Sequence, residues 1–481
     1  MVNYRAVIHI LSALLIFLGL CLVFPALFAL YYREPDLQAF AITIAISLVS
    51  GTIFFFASGS KRELHTKDGF LIVSAGWLLF AFIGALPFKL SGFIPSYTDA
   101  FFETMSGFTT TGASILTNIE ALPHGLLFWR SLTHWLGGMG IIVFSLAILP
   151  LLGVGGMQLF KAEVPGPTPD KLTPRIASTA KLLWGVYALI SLAETIALRL
   201  AGMTWFDALC HTFGTMATGG FSTKNTSIGH YDSAAIDYII VVFMILAGIN
   251  FALHYRALKG KPGVYVKDHE ARAFIGLIAI AFILIGVDVW KVTGHHFAKT
   301  IQYTLFQVVS ILTTTGYGTA DYEQWSYLSQ VILFFLMFFG GCAGSTGGGI
   351  KIIRTMILIK MGITEIKRQI HPKAVFSVRI GDAVIPREIT GNVAGFFLLH
   401  VALTVVGILF MSALGLDLPS AFGSVAANIN NIGPGLGSVG PTDNYAQIPV
   451  IGKWFLSFLM LVGRLELFTV IILFTFSYWK K

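Results

Sequence analysis

Apolar stretches close to twenty residues long recur along the whole chain, and no extended polar block separates them. Residues 6–30 form the first and residues 37–57 the second. A helix needs about 20 apolar residues to cross roughly 30 Å of hydrocarbon. The pattern therefore predicts a polytopic helical bundle, not a globular domain with an anchor. The first stretch is too long for the apolar core of a signal peptide, and no small-x-small cleavage motif follows it, so it reads as a retained helix.

Within this pattern lies a repeat. Residues 99–114 read DAFFETMSGFTTTGAS and residues 207–222 read DALCHTFGTMATGGFS. Each reaches a glycine thirteen residues after its aspartate, Gly112 and Gly220. Residues 303–318 (YTLFQVVSILTTTGYG) place Gly316 at the same offset. Residues 420–438 (SAFGSVAANINNIGPGLGS) place Gly433 there, with the threonines replaced by Asn430-Asn431-Ile432. An apolar helix precedes each copy, at about 69–90, 180–201, 272–292 and 390–415, and another follows, at about 128–152, 236–257, 328–360 with an interruption, and 453–477. The following helices carry Gly138, Gly248, Gly341 and Gly463, 25 to 30 residues past the turn glycine.

The predicted fold is an all-α membrane protein. Four parallel helix–pore-helix–helix repeats surround one central pore, and two extra N-terminal helices bring the spans to about ten. The corresponding division is a two-helix segment at 1–68, then repeats at 69–155, 156–260, 261–375 and 376–481. Because each repeat starts and ends on the same side, the repeats are related by an axis along the membrane normal.

The segment between Asp99 and Thr109 makes a helix only about 15 Å long, which stops midway through the membrane. Non-helical backbone at that depth persists only where it is buried in protein or lines water. Glycine allows the left-handed dihedrals that point successive carbonyls one way. Four such turns about one axis would form a ring of oxygens able to replace a cation's hydration shell. The half-helices also aim their partly negative C-terminal ends at the centre.

Composition agrees: the 481 residues are 55% apolar and 12% charged, with mean hydropathy +0.78. Soluble domains carry about twice that charge. The net charge of +8 is explained by topology. Of the 32 Lys and Arg, 23 fall on one side of the predicted bundle and eight on the other (Arg33, Lys89, Arg130, Arg199, Lys224, Lys291, Lys299, Lys453). The remaining one, Arg464, lies inside an apolar helix. This asymmetry predicts both termini in the cytoplasm and gives no reason to expect nucleic acid. Cys21, Cys210 and Cys342 are far apart and form no CxxC or Cys/His cluster, so neither a disulfide framework nor a metal site is expected.

On the four turns, the GGCAGSTGGGIK stretch at 340–351 and the arginine of the last helix, the whole chain resembles the Trk/Ktr/HKT superfamily of potassium transporters. The resemblance implies potassium coordination by backbone carbonyls around Thr110-Thr111-Gly112, Thr218-Gly219-Gly220, Thr314-Thr315-Gly316 and Asn431-Ile432-Gly433. It also implies potassium over sodium, because Gly112 stands where some sodium-favouring plant members have serine. A homodimer with one pore per subunit in a bacterial cytoplasmic membrane follows as well. So does a cytosolic ring of RCK-type (TrkA-like) subunits that would bind any nucleotide. This chain has no strand-GxGxxG-helix unit of its own and no cofactor is expected in it.

Gly340, Gly341, Gly344, Gly347, Gly348 and Gly349 crowd ten positions where a helix is expected. Each glycine costs a helix about 1 kcal/mol relative to alanine, so unwinding into a gating loop is the preferred reading over close helix packing through Gly340 and Gly344. Arg464 is expected to face the pore below the turns, since a charge at mid-membrane usually faces a polar interior. The alternative is an ion pair joining two repeats. Glu466 is about 200° round the helix from Arg464 and is not its direct partner. Asp99, Asp207 and Glu103 lie near the outer mouth, where capping competes with cation attraction; for Asp99 and Asp207 capping is preferred. His134 and His254 read as structural. The basic segment 361–388 reads as solvated or lipid-facing charge. An intramembrane enzyme would need a nucleophile–base pair or metal ligands on facing helices, and none is evident. Coupled symport with sodium or protons remains the alternative transport reading, although no acidic pair at mid-membrane supports it.

Overall fold

In the computed structural model, which describes residues 2–59, 66–147, 176–293 and 297–480, the chain is almost wholly helical. Tyr4–Cys21 and Val23–Tyr32 run on through Leu22 as one 29-residue span. The chain turns at Arg33, which has a left-handed φ of 57°, and returns as Leu37–Ser58. This return helix is inverted relative to one in water. It buries Thr43, Ser47 and Gly51 and exposes Ile42, Ile46, Val49 and Ile53 on the opposite stripe. Small residues face the partner helix because close backbone approach, not apolar burial, drives association in lipid. A Cβ on Gly51 would stand only 2.8 Å from the Ile16 side chain.

Four units of the expected kind follow. Their first helices are Thr66–Gly84 (continued by Leu86–Leu90), Ile176–Leu200, His269–Thr293 and Arg387–Ala413. Their half-length helices are Tyr97–Phe108, Trp205–Met216, Phe297–Leu312 and Leu418–Ile429. The junction expected at 155/156 lies outside the described residues.

The second helices of the second and fourth units depart from the apolar pattern, which reads straight across them, while the interruption expected in the third is present. Among the described residues, only His124–Ala147 is continuous. Ala234–Gly248 breaks to Phe251–Leu258 at 104°, and Val450–Arg464 breaks to Phe468–Phe474 at 114°. Between Tyr327–Leu336 and Ile352–Ile370, residues 337–351 are non-helical. Three of the four glycines singled out in sequence mark these interruptions. Gly248 ends its helix, Gly463 is next to last, and Gly341 lies within the non-helical stretch. Near the C-terminus, the Tyr478 hydroxyl donates to the Lys67 carbonyl (2.6 Å) and Lys67 Nζ donates to the Tyr478 carbonyl (2.8 Å), joining the fourth unit to the first.

Candidate functional site

All four half-length helices end in the same way. The N–H groups of Thr111, Gly219, Thr315 and Ile432 donate back to Ser106, Gly214, Ser310 and Ala427, each at 2.8 Å. The residue before each is left-handed: Thr110 (φ 52°), Thr218 (54°), Thr314 (60°) and Asn431 (55°). This is the Schellman ending of a helix, but three of its left-handed positions carry threonine. A β-branched side chain is an outlier there, costing roughly 1–2 kcal/mol. Such strain persists only where the surroundings impose it, and it concentrates at ligand sites. Each turn then reaches its glycine, again at positive φ: Gly112 (82°), Gly220 (78°), Gly316 (78°) and Gly433 (96°).

These glycines close a ring. A Cβ on Gly112 would overlap the carbonyl oxygen of Gly219, one on Gly220 that of Thr315, and one on Gly316 that of Ile432. A Cβ on Gly433 would meet the Thr111 oxygen at 2.7 Å. Each turn thus lies against the middle residue of the next, in the order first, second, third, fourth, first. All twelve residues assigned to the turns from sequence are brought together, and in the same register. Side chains brace the first and third turns internally and tie the fourth to the first. Thr109 and Thr111 share a hydroxyl–hydroxyl bond of 2.8 Å, as do Thr313 and Thr315. The fourth turn lacks these threonines, and Asn431 instead donates to Thr111 Oγ1 and to the Met460 carbonyl, both at 2.9 Å. Its Gly433 carbonyl already accepts the Tyr445 hydroxyl at 2.8 Å, which distinguishes it from the other three.

The shell behind the ring was only partly legible. Glu103 is no mouth carboxylate. It is fully buried, bound by Arg130 Nε at 2.6 Å and by the Ser114 hydroxyl and Ile115 N–H at 2.9 Å. Arg130 also donates to the Ser222 carbonyl (2.8 Å) and stacks 3.5 Å from the Phe221 ring centre, tying the first turn to the second. Neither aspartate is itself the cap: Ser96 and Thr204 cap these helices, accepting the Asp99 and Asp207 N–H groups at 3.3 and 3.0 Å, and the aspartates sit in the first turn. Their carboxylates are also engaged, Asp99 by Lys453 (2.6 Å) and Asp207 by the Thr204 and Thr223 hydroxyls. His134 has the partners that sequence could not name: Nδ1 donates to the Gly107 carbonyl (2.8 Å) and Nε2 accepts from the Phe221 N–H (3.2 Å). His254 bonds the Tyr265 hydroxyl and the Leu246 carbonyl, both at 2.8 Å.

Directly beneath the ring lie residues 337–351, with all six glycines of the GGCAGSTGGG stretch. Because this stretch is not helical, the alternative of helix packing through Gly340 and Gly344 does not apply. A short bridge between Phe339 and Ile350 closes its base, with Gly340 N–H on the Ile350 carbonyl at 2.9 Å. Gly344 and Gly349 take positive φ, and a Cβ on Gly347 or Gly348 would crowd Gly341 or Asn430. The Gly348 N–H donates to Thr314 Oγ1 at 2.7 Å, so the loop touches the third turn itself. Arg464 is buried beside it, donating to the Thr346 carbonyl (2.7 Å) and to the Gly137 carbonyl (3.4 Å). Among the described residues the partners of Arg464 are carbonyls and not a carboxylate, against the alternative of an ion pair; Glu466 instead pairs with Arg354.

Sequence reasoning missed three further residues. Gly137, one position before Gly138, packs its Cα against the Phe108 carbonyl as Gly463 does against that of Ile429. Glu194, fully buried beside Thr215, is an acid within the apolar first helix of the second unit. Glu270, at the start of the first helix of the same unit, contacts the loop. An acid within an apolar helix was the available signal for Glu194.

Comparison with known proteins gives a consistent result. The sequence model of the TrkH family, described as a cation transport protein, matches residues 36–481. The chain is 44% identical to the Trk system potassium uptake protein TrkH of Salmonella typhimurium, over all of both chains. It is 37% identical to the Trk system potassium uptake protein TrkG of Escherichia coli, over 100% of this chain and 99% of that one. The crystal structure of the potassium transporter TrkH from Vibrio parahaemolyticus superposes with a TM-score of 0.91 at 41% identity, covering 99% of this chain and 100% of that one.

Proposed function

Because this chain belongs to the TrkH family of cation transport proteins, we propose that it takes up potassium across a bacterial cytoplasmic membrane through a gated filter lined by backbone carbonyls. The observation that carries this reading is the closed ring of four turns, each glycine lying against the next turn's carbonyl. The ligands we assign are the carbonyls of residues 110–112, 218–220, 314–316 and 431–433. We assign the gate to residues 340–349 and to Arg464, whose charge beneath the ring opposes a passing cation. An inward voltage of 100 mV supplies about 2.3 kcal/mol per charge, equivalent to a roughly fiftyfold gradient, so a passive pore can sustain uptake.

The same reading places both termini in the cytoplasm, on the 23-to-8 distribution of basic residues. It includes assembly as a homodimer and control by a cytosolic RCK-type, nucleotide-binding partner on that face. Potassium flux into liposomes holding the purified chain, with sodium as competitor, tests it. Selective flux that Gly112→Ser relaxes is the expected result. Flux that appears only with a proton or sodium gradient would replace it with coupled symport, a reading favoured by the buried carboxyl of Glu194.

A further inference from the structure

Three charged side chains hold the backbone of the loop beneath the turns. Arg464 takes the Thr346 carbonyl, Lys351 takes that of Gly347, and Glu270 takes an N–H. Glu270, in the first turn of His269–Thr293, accepts two backbone N–H groups on the single oxygen Oε1, from Ala343 at 2.9 Å and Ile353 at 3.0 Å. Ala343 belongs to the loop, and Ile353 to the first turn of the helix that resumes as Ile352–Ile370. All three residues are buried. An acceptor oxygen suits the position, because first-turn N–H groups carry the helix's partial positive charge.

The two bonds constrain different things. Ile353 moves with its helix, whereas Ala343 moves with the loop. If Thr346 to Gly348 leave their place under the turns, the Ala343 N–H must come off Oε1 while the Ile353 N–H can stay. The contacts at Thr346 and Gly348 secure the end of the loop nearest the ring. Ala343 lies in a separate apolar cluster with Ile353, Ile357, Ile380 and Ile385, Ile380 within and Ile385 just after a hairpin of Arg379–Ile380 and Ala383–Val384. We propose that Glu270 is a positioning residue of the gate, a latch that uses Ile353 as its anchor and Ala343 as the part it releases. This rests on the reading of the loop as the barrier to cations.

Cys342, 1% exposed and adjacent to Ala343, reports on the latch without passing through potassium. In liposomes holding the full chain, its alkylation by a membrane-permeant maleimide is followed by peptide mapping, alongside potassium flux. Glu270→Ala is expected to speed Cys342 alkylation on the order of tenfold, the worth of one hydrogen bond, and to raise flux. Glu270→Gln keeps an acceptor oxygen in place and is expected to stay close to the parent chain. Glu270→Asp, one methylene short of both N–H groups, is expected to follow alanine and serves if the alanine variant does not fold. A folded alanine or aspartate variant with the parental alkylation rate overturns the latch. Faster alkylation in a chain that carries no potassium would leave the latch standing and remove the transport reading.

Discussion

Gly316 and Ile432 belong to different repeats, yet the Ile432 carbonyl oxygen fills the space that a Cβ on Gly316 would need. The same relation recurs at the other three glycines, so the ring is interlocked and a side chain at one turn displaces the next.

Gly316→Ala is therefore expected to reduce the potassium-to-sodium flux ratio in liposomes. Alanine at a φ of 78° is strained as well as obstructed. Gly433→Ala is expected to be the mildest of the four, since its nearest oxygen is 2.7 Å away and the other three overlap outright. Equal loss at all four positions would mean that backbone strain, not the interlock, sets the effect.

Arg130 and Glu103 form a pair whose side chains are 3% and 0% exposed. Removing one partner from a buried pair costs about 3–5 kcal/mol, so Arg130→Met is expected to lower thermal stability in detergent by about that much. Replacing both, with Glu103→Leu added, is expected to recover part of the loss. The Glu365–Arg368 pair is the control. Its side chains are 54% and 44% exposed, and its loss is expected to cost less than about 1 kcal/mol.

Arg464→Ala removes both a buried charge beneath the ring and the donor to the Thr346 carbonyl. Basal potassium flux is expected to rise. Arg464→Lys keeps the charge but loses the planar fork that reaches Thr346 and Gly137 together, so an intermediate flux is expected. Flux at or below the parental level in the alanine variant would remove Arg464 from the barrier.

Asp36, just ahead of the Leu37–Ser58 span, has its carboxyl pushed from 3.8 up to about 6, first by burial and then by the charge of neighbouring Glu34; His124 opposes this weakly. A raised folded-state value favours the protonated form. The stabilisation is full below about pH 4 and is lost as pH rises through about 6. Thermal stability followed from pH 4 to 8 is expected to fall across that window, and Asp36→Asn is expected to flatten this component. An unchanged profile in the asparagine variant would assign the window to another group.

Much of the site was legible because its signals are local. The offset from Asp99 to Gly112, repeated at Asp207 and Gly220, marks a short helix and a turn whatever surrounds them. The six glycines at 340–349 likewise report their own low helical preference. Glu103 misled because position alone suggested a mouth carboxylate, while its Arg130 partner sits on another helix. His134 could not be given partners because Gly107 and Phe221 lie in two different repeats.

What the sequence by itself determined is the number of repeats, the register of their turns and the positions where glycine is required. Apolar run length, turn chemistry and backbone freedom are properties of a few neighbouring residues. What only the tertiary structure decided is the order in which the turns interlock, the breaks after Gly248 and Arg464, and the reach of Glu270 to Ala343 and Ile353. Each of these depends on carbonyls and N–H groups brought together from distant parts of the chain. In a water-poor interior a backbone group must find whichever partner packing places beside it.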